Sequence, residues 1–584
     1  MPVTTRVITH SVREYSALRE CRRFRRGFMG ERRMKFTSLM GGIALGALLA
    51  SLSFSSASAA TPLSGKVSSP DESSMEGVLV TARLAGSTIA HTVVTDAAGE
   101  YRFPDGLLKP GKYSLKVRAI GYELDGAAAA EVPDEGTATR DIKLRKTKNI
   151  AGQLTNAEWL ASMPGATGQK KQLYGCTNCH TLQRITQSTY SAEEFLDVMA
   201  RMAQYSNNSF PLHPQIRVAE TNAGARFGAE TQKFAEYLST INLSQSSAWD
   251  YQLKTLPRVK GAGTRVLITE YDLPKQTTMA HDVVVDRDGT VFFSDFGAPQ
   301  IGELDPKTGK VSEHPYPVLR TGYPVGALDL EQDESGNLWG AMMYQGGILR
   351  FDRKTGEMKT FPVPQELLNE ATQQALIAPQ HREVDGKVWV TNVGMNKIHR
   401  VDTTTGEYET IDPFKGLPPG GRHSAYGMNA DHQNNLWFND FSGEAIVKID
   451  ARTLEVTFFK TNTARSRPRR GHMDAQDRLA FGEFYGDRAG VLDTKTGQIT
   501  EYTVPTQHTA PYDAVLDKYG TLWTAGMEAD RIVRIDTADG KAVEYPLPRQ
   551  TNIRRIFVDD STKPSTVWVG NNEGASIIKL QPAD

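Results

Sequence analysis

Cysteine is almost missing from this chain: Cys21, Cys176 and Cys179 are the three among 584 residues. A framework of several disulfides is therefore excluded, and with it the small cross-linked scaffolds of secreted mini-proteins. Cys21 lies in the N-terminal extension, so its removal leaves no stray thiol outside the 176/179 pair, which suits an oxidising compartment. A basic excess is missing too. The formal net charge is −1, unevenly spread: residues 1–36 hold nine Arg, one Lys and three Glu, a net of +7, which leaves −8 for the remainder. That excludes a nucleic-acid footprint on the body of the protein. The length excludes a single hydrophobic core, and ordinary apolar content with mixed charge points to several globular domains.

Residues 1–60 read as an N-terminal extension and signal peptide. Phe36 to Phe54 is an uncharged run preceded by Arg32, Arg33 and Lys35 and followed by Ser-Ala-Ser-Ala-Ala, ending at Ala60. A positive n-region, an apolar h-region and small residues before a cleavage point predict export, with cleavage beside Ala59 or Ala60 and no membrane span afterwards. Met34 is the better-placed start for such a segment.

The pair of cysteines sits in Cys176-Thr177-Asn178-Cys179-His180. A Cys-x-x-Cys-His run reads as a c-type haem attachment site: two thiols two residues apart add to the two vinyl groups of one porphyrin, and the adjacent imidazole falls on the iron. A zinc knuckle needs a second ligand pair, and no other Cys lies nearby. One covalent haem c is the expectation, and with export it points to a bacterial periplasm.

Residues 61–147 alternate apolar and polar residues in short runs, as in Val78–Arg83 and Tyr113–Arg118, with turns at Asp96–Gly99 and Lys109–Gly111. Gly65-Lys-Val67, Thr95-Asp96, Gly99–Phe103, Gly111–Tyr113 and Gly121-Tyr122 resemble the carboxypeptidase regulatory-like, or prealbumin-like, domain. The resemblance implies a β-sandwich serving as an accessory or carbohydrate-type module, without a catalytic cluster.

Residues 148–247 predict a small helical domain, with helices from Thr167, over Ala192–Tyr205 (Phe195, Met199 and Met202 on one face) and over Glu230–Ile241. The attachment motif and the aromatic closing helix resemble a class I cytochrome c. His180 is the proximal ligand on this reading and Met202 the first choice for the sixth. Met199 is one turn earlier. His213, in Phe-Pro-Leu-His-Pro, is the rival because it stands where many such cytochromes place their methionine.

Residues 262–584 are repetitive. One unit reads Asp-x-x-Gly-x-Φ-Trp (Φ apolar), then Ile-x-x-Φ-Asp-x-x-Thr-Gly, then a strand ending in Pro. A period of roughly 43–50 residues predicts four-stranded blades. The last unit lacks its final strand, which stands instead at the front as Thr269–Pro274, so a seven-bladed β-propeller closed by its first strand is expected. The recurring Trp339, Trp389, Trp437, Trp523 and Trp568 read as inter-blade core. The region resembles the streptogramin B (virginiamycin B) lyase propellers through its repeated Leu-Trp strands and endings such as Glu501–Pro505 and Glu544–Pro548. That resemblance implies a metal-held glutamate pair, Glu483 and Glu501, and a divalent metal in the propeller. The family histidine two residues past the first glutamate is Tyr485 here. His281, His381, His423, His472, Tyr512 and Arg554 each read as lying just before an inner strand, so as ringing one mouth of the channel.

The chain is thus expected to be multidomain and mainly β. The leading functional expectation is periplasmic electron transfer with a redox partner protein, the propeller binding that partner, a small molecule or a carbohydrate. A metal-dependent lyase with an accessory haem domain is the alternative, and a haem-bearing scaffold a third.

Overall fold

The computed structural model describes residues 6–7, 63–217, 229–418 and 420–583. The signal-peptide reading of residues 36–60 lies outside them. Among the described residues, no helix is long and apolar enough to cross a membrane.

The repeat builds seven sheets. Their inner strands are Ala280–Val285, Leu330–Gln332, Gln374–Ala378, Ala425–Ala430, Pro468–Met473, Pro511–Leu516 and Ile556–Asp559, which define blades 1 to 7. Each inner strand touches the next, and the seventh touches the first, so the ring closes. Blade 7 supplies three strands from the C-terminus. Its fourth is Val266–Asp272, antiparallel to Ser576–Pro582 in a register running from Val266↔Pro582 to Asp272↔Ser576. Pairing the two ends of the repeat region leaves no open edge between first and last blade.

The residues that repeat do so for identifiable reasons. The Nε1–H groups of Trp339, Trp437 and Trp523 each donate at 2.9 Å to an aspartate six residues earlier: Asp333, Asp431 and Asp517. The same aspartates accept the backbone N–H four residues on, from Asn337, Asn435 and Thr521, at 2.8–2.9 Å. One carboxylate thus closes the turn and pins the indole, and the five tryptophans are 0–3% exposed. The Thr-Gly endings, and Asp539-Gly540 in blade 6, need a left-handed residue: Gly309, Gly356, Gly406, Gly497 and Gly540 have φ between +72° and +81°, where a Cβ is costly. Blade 4 places Leu454 there, at φ +58°.

Residues 63–146 form a two-sheet sandwich. Glu100–Arg102, Leu63–Ser68, Ile142–Lys146 and Tyr122–Leu124 make one layer; Ile89–Val94, Leu79–Leu84, Gly111–Arg118 and Ala129–Val132 belong to the other. Val67, Val80, Tyr101, Phe103 and Leu115 fill the space between. The second layer does not end at its edge. Ile89–Val94 pairs antiparallel with Val266–Asp272, from Tyr271↔Ile89 to Leu267↔Val93, so sandwich and blade 7 share one eight-stranded sheet. Arg118 secures the joint by donating to the Leu547 and Arg549 carbonyls at 2.7 Å each and to Asp530 at 2.6 Å.

Because Val266–Asp272 is paired on both sides, a proline at Thr269 removes a ladder hydrogen bond wherever its N–H points. Thr269→Pro is expected to destabilise the chain by about 3 kcal/mol or more. A melting temperature equal to wild type would show that this strand closes nothing.

Candidate functional site

The helical segment contains Asn156–Ser162, Thr167–Gln172, Gln183–Thr186, Ala192–Met202 and Ala229–Ile241. Two helices begin in capping boxes, Thr155 with Glu158 and Ser191 with Glu194. Ala192–Met202 stops short of the expected Tyr205, which is drawn into a bridge with Ile216. The Cys-x-x-Cys-His loop follows a short turn at Leu173–Gly175. Both thiols are half-buried, and burial pushes Cys176 up to about 12 and Cys179 up to about 11, so they stay protonated. His180 is kept neutral by burial. Its Nδ1 lies 3.0 Å from the Thr181 carbonyl oxygen, a contact that puts the proton on Nδ1 and leaves Nε2 as a lone-pair donor. Met199 is half-buried against the apolar cluster that also holds Cys176 and Phe195. Met202 is 38% exposed. His213 donates from Nε2 to the Gly297 carbonyl at 2.8 Å, which anchors its loop to blade 1.

What the sequence did not suggest is where this segment sits. It caps one mouth of the propeller. The two residues between the cysteines make the central contacts. Thr177 donates to the Glu528 carboxyl at 2.6 Å; Asn552 donates to the Thr177 carbonyl at 2.8 Å and Arg554 to the Asn178 carbonyl at 2.6 Å. Lys171 donates to the Tyr485 carbonyl, and the Tyr485 hydroxyl donates back to the Lys171 carbonyl at 3.1 Å. Across the mouth, Asn208 donates to the Phe296 and Val325 carbonyls at 3.0 and 2.6 Å, and the Asn207 N–H donates to the Tyr344 hydroxyl at 3.0 Å. Blades 1, 2, 5, 6 and 7 therefore all hold the cap. Glu528 is fully buried, its other oxygen unpartnered, and burial raises it to about 8. Glu573, beside Arg554 and Asn552, is raised to about 7 by the same cause.

The expected ring of six side chains is partly corrected. A repeated backbone bond fixes the register: Phe296, Val393, Phe441, Phe484 and Asn572 donate to Met279, Gln373, Ser424, Arg467 and Asn552. Two residues beyond those acceptors stand His281, Ala375, Tyr426, Arg469 and Arg554, and Tyr512 takes the same position in blade 6. His281, Tyr512 and Arg554 thus do share a ring. His423 precedes its ring position by three residues and pairs with Asp440 at 2.6 Å. His472 lies three residues past its position, inside the channel, 2.9 Å from Asp513. His381 follows the inner strand of blade 3 and sits at the opposite mouth, in the turn before Arg382–Val384. Histidine composition drew attention to these positions, but blade-to-blade differences in turn length shift them apart.

In five of the seven inner strands the next residue is charged; blades 3 and 4 place Leu376 and Gly427 there. Asp282, Asp329, Arg470, Asp513 and Arg555 face the channel, all almost fully buried. Arg470 makes a fork onto Asp282 at 3.0 and 2.9 Å and reaches Asp329 at 2.5 Å. Arg555 pairs with Glu331. The carboxylates also cap backbone: Asp282 accepts from Leu330 at 3.1 Å, Asp329 from Ile377 at 2.8 Å and Asp513 from Ile556 at 3.0 Å, each in the following blade. Burial opposes ionisation of Asp282, and Arg470 and His281 outweigh it, holding that carboxyl below its usual range. Burial of His281 lowers it to about 4, so it is neutral, with Nε2 unpartnered and Nδ1 2.6 Å from Asp282.

Glu483 stands apart from its counterparts. Asp295, Asn392, Asp440 and Asn571 end the second strands of their blades and accept backbone N–H groups at 2.8–3.2 Å. Glu483 ends that strand in blade 5, is fully buried, and neither of its oxygens has a hydrogen-bond partner. Burial and the neighbouring Glu501 carboxylate raise it to about 9. Glu501 is held by the Asn462 and Thr463 N–H groups and the Thr463 hydroxyl at 2.6–3.1 Å. The structure therefore brings this glutamate pair together, and an orphaned buried carboxyl beside a second one suits a divalent cation or a shared proton. Tyr485 is committed elsewhere. Its ring packs edge-on against Tyr174 and under Arg467, and its hydroxyl faces the cap.

Two stretches match known protein families. Residues 62–145 match the carboxypeptidase regulatory-like domain, and residues 417–583 match the virginiamycin B lyase family, so the chain joins a carboxypeptidase-regulatory-like β-domain to a virginiamycin B lyase-like propeller. Among solved structures, the chain is similar to the virginiamycin B lyase of Staphylococcus aureus at 25% identity, covering 54% of this chain and 99% of that one with a TM-score of 0.46. A streptogramin B lyase structure aligns at 23% identity over 55% of this chain and 100% of its own, with a TM-score of 0.45. No curated protein matches. Both family matches lie outside residues 148–247, whose reading rests on the residues themselves.

Removing the Arg470 charge strands Asp282 and Asp329 in the channel. Arg470→Met is expected to cost about 3–5 kcal/mol, read from denaturant unfolding; a near-neutral effect would mean the network is solvated. Glu483 holds in the folded state a proton that the unfolded chain releases above about 4.5, so its contribution to stability falls as pH rises from about 4.5 to about 9. Glu483→Gln is expected to flatten the loss of stability over that window, and an unchanged pH profile would contradict the assignment.

Proposed function

We propose that the chain is an exported c-type haem protein of the periplasm. On this reading residues 148–247 form a cytochrome-like domain, one haem is attached through Cys176 and Cys179 with His180 as proximal ligand, and the propeller mouth is its platform. The observation that carries the reading is the division of labour within the loop. Thr177 and Asn178 make the contacts to blades 6 and 7, whereas the two thiols and His180 Nε2 make no hydrogen bond among the described residues. The donor set fits the group: two protonated thiols two residues apart, a neutral imidazole with a free Nε2, and apolar side chains from Ala192–Met202 nearby. Bound haem c supplies one-electron transfer at its iron. The chain's own part is to fix the loop, keep the imidazole neutral and exclude water. Met202, or the more buried Met199, would be the residue to supply a sixth ligand. Electrons would pass to a partner protein, and the propeller would recognise that partner or a small substrate.

The second reading is metal-dependent lyase chemistry at Glu483 and Glu501. The paired carboxyls favour it. Tyr485 in place of histidine, with its hydroxyl bonded to Lys171, disfavours it, because the acid–base group is missing and the cap occupies its surroundings.

Expression with its leader in a host that matures c-type cytochromes is expected to give protein whose haem survives denaturing electrophoresis, and Cys176→Ala with Cys179→Ala should abolish the haem stain. Two freely titratable thiols and no covalent haem would overturn the first reading. Metal-dependent ester cleavage by the haem-free variant would favour the second.

A further inference from the structure

The mouth opposite the cap carries a second cluster. In blades 2, 4 and 6 the first turn opens there with the aspartate that pins the tryptophan, and the residue after that aspartate lies in the same turn. In blade 2 this residue is Glu334 and in blade 4 it is His432. Between them, blade 3 presents His381 and Glu383. Nδ1 of His381 lies 3.3 Å from Glu334 Oε1 and 3.5 Å from Glu383 Oε1. All three donor atoms lie within 4.8 Å of one another.

These separations leave room for an ion between the three side chains. They are long for a charge-assisted hydrogen bond, which lies near about 2.7–2.9 Å. They match the edge of a tetrahedron, which for metal–ligand bonds of about 2.05 Å is about 3.35 Å. A second feature of different origin fixes the imidazole. The His432 ring lies against His381 with centroids 4.6 Å apart, and its own Nδ1 is held by Asp477 of blade 5 at 2.6 Å. The neighbouring ring restricts rotation of the His381 imidazole. The His381 side chain is 14% exposed, while Glu334 and Glu383 are 59% and 44% exposed, so an ion has a path in and a face left for solvent.

We propose that Glu334, His381 and Glu383 form a zinc site at the propeller mouth facing away from the helical cap. One imidazole and two carboxylates suit zinc, whereas calcium and magnesium select all-oxygen sites. With three protein ligands the fourth position belongs to water. The ion bridges blade 2 to blade 3, so it acts as a rivet across one seam of the ring. This site is separate from the glutamate pair of blade 5 and does not depend on haem.

The test is calorimetric titration of zinc chloride into the full chain with Cys176 and Cys179 thioether-linked or alkylated, which removes the thiols as rival ligands. One equivalent is expected to bind and to raise the melting temperature. His381→Gln should abolish both effects, and Glu383→Gln, at an exposed position tolerant of change, should weaken binding at least tenfold. His314→Gln, which removes a histidine paired with Glu303 elsewhere on the propeller, should leave binding intact. Absence of zinc uptake, or uptake undiminished in both His381→Gln and Glu383→Gln, overturns the proposal.

Discussion

A fully buried carboxyl, Glu528, meets the hydroxyl of Thr177 at 2.6 Å. Much of the architecture follows from that contact. A buried carboxyl is costly unless its oxygens are engaged, and here the partner comes from a separate part of the chain. The surrounding groups obey the same constraint: Asn552 and Arg554 spend their donors on the carbonyls of Thr177 and Asn178. The helical segment therefore completes the polar surface of the propeller mouth, and the mouth fixes the conformation of the Cys-x-x-Cys-His loop. Each would leave unpaired groups without the other.

The same economy runs down the channel. Inner strands from neighbouring blades carry carboxylates that cap one another's backbone, and two buried arginines neutralise them. At the outer edge the β-sandwich is stitched to blade 7 by continuous strand pairing. Sandwich, helical cap and propeller are thus joined by backbone ladders and buried polar contacts, the kinds of interface that transmit position with little slack.

Much of this was legible in the sequence where it repeats. The aspartate–tryptophan spacing, the Thr-Gly turns and the missing last strand are local signals with local causes, and they gave the blade number and the manner of closure. The glutamate pair was legible through resemblance, and its meeting at Glu483 and Glu501 is seen in the fold. What the sequence could not convey was contact between distant segments. Nothing in Ile89–Val94 announces that its edge pairs with Val266–Asp272, because an exposed and a paired edge share the same alternation. Nothing around Thr177 marks it as a docking residue. The histidines misled for a related reason: His381 and His281 look alike in their repeats, but a few residues of turn length send one to the opposite mouth.

The claim that the loop and the propeller mouth form one polar unit is most directly tested by a double-mutant cycle. Thr177→Val, Glu528→Leu and the pair would be compared by unfolding of the full chain. A buried hydrogen bond to a carboxyl predicts a coupling energy of about 1–3 kcal/mol between the two sites. Strictly additive effects would contradict the account, since Thr177 and Glu528 would then be independent and the cap merely adjacent to the propeller.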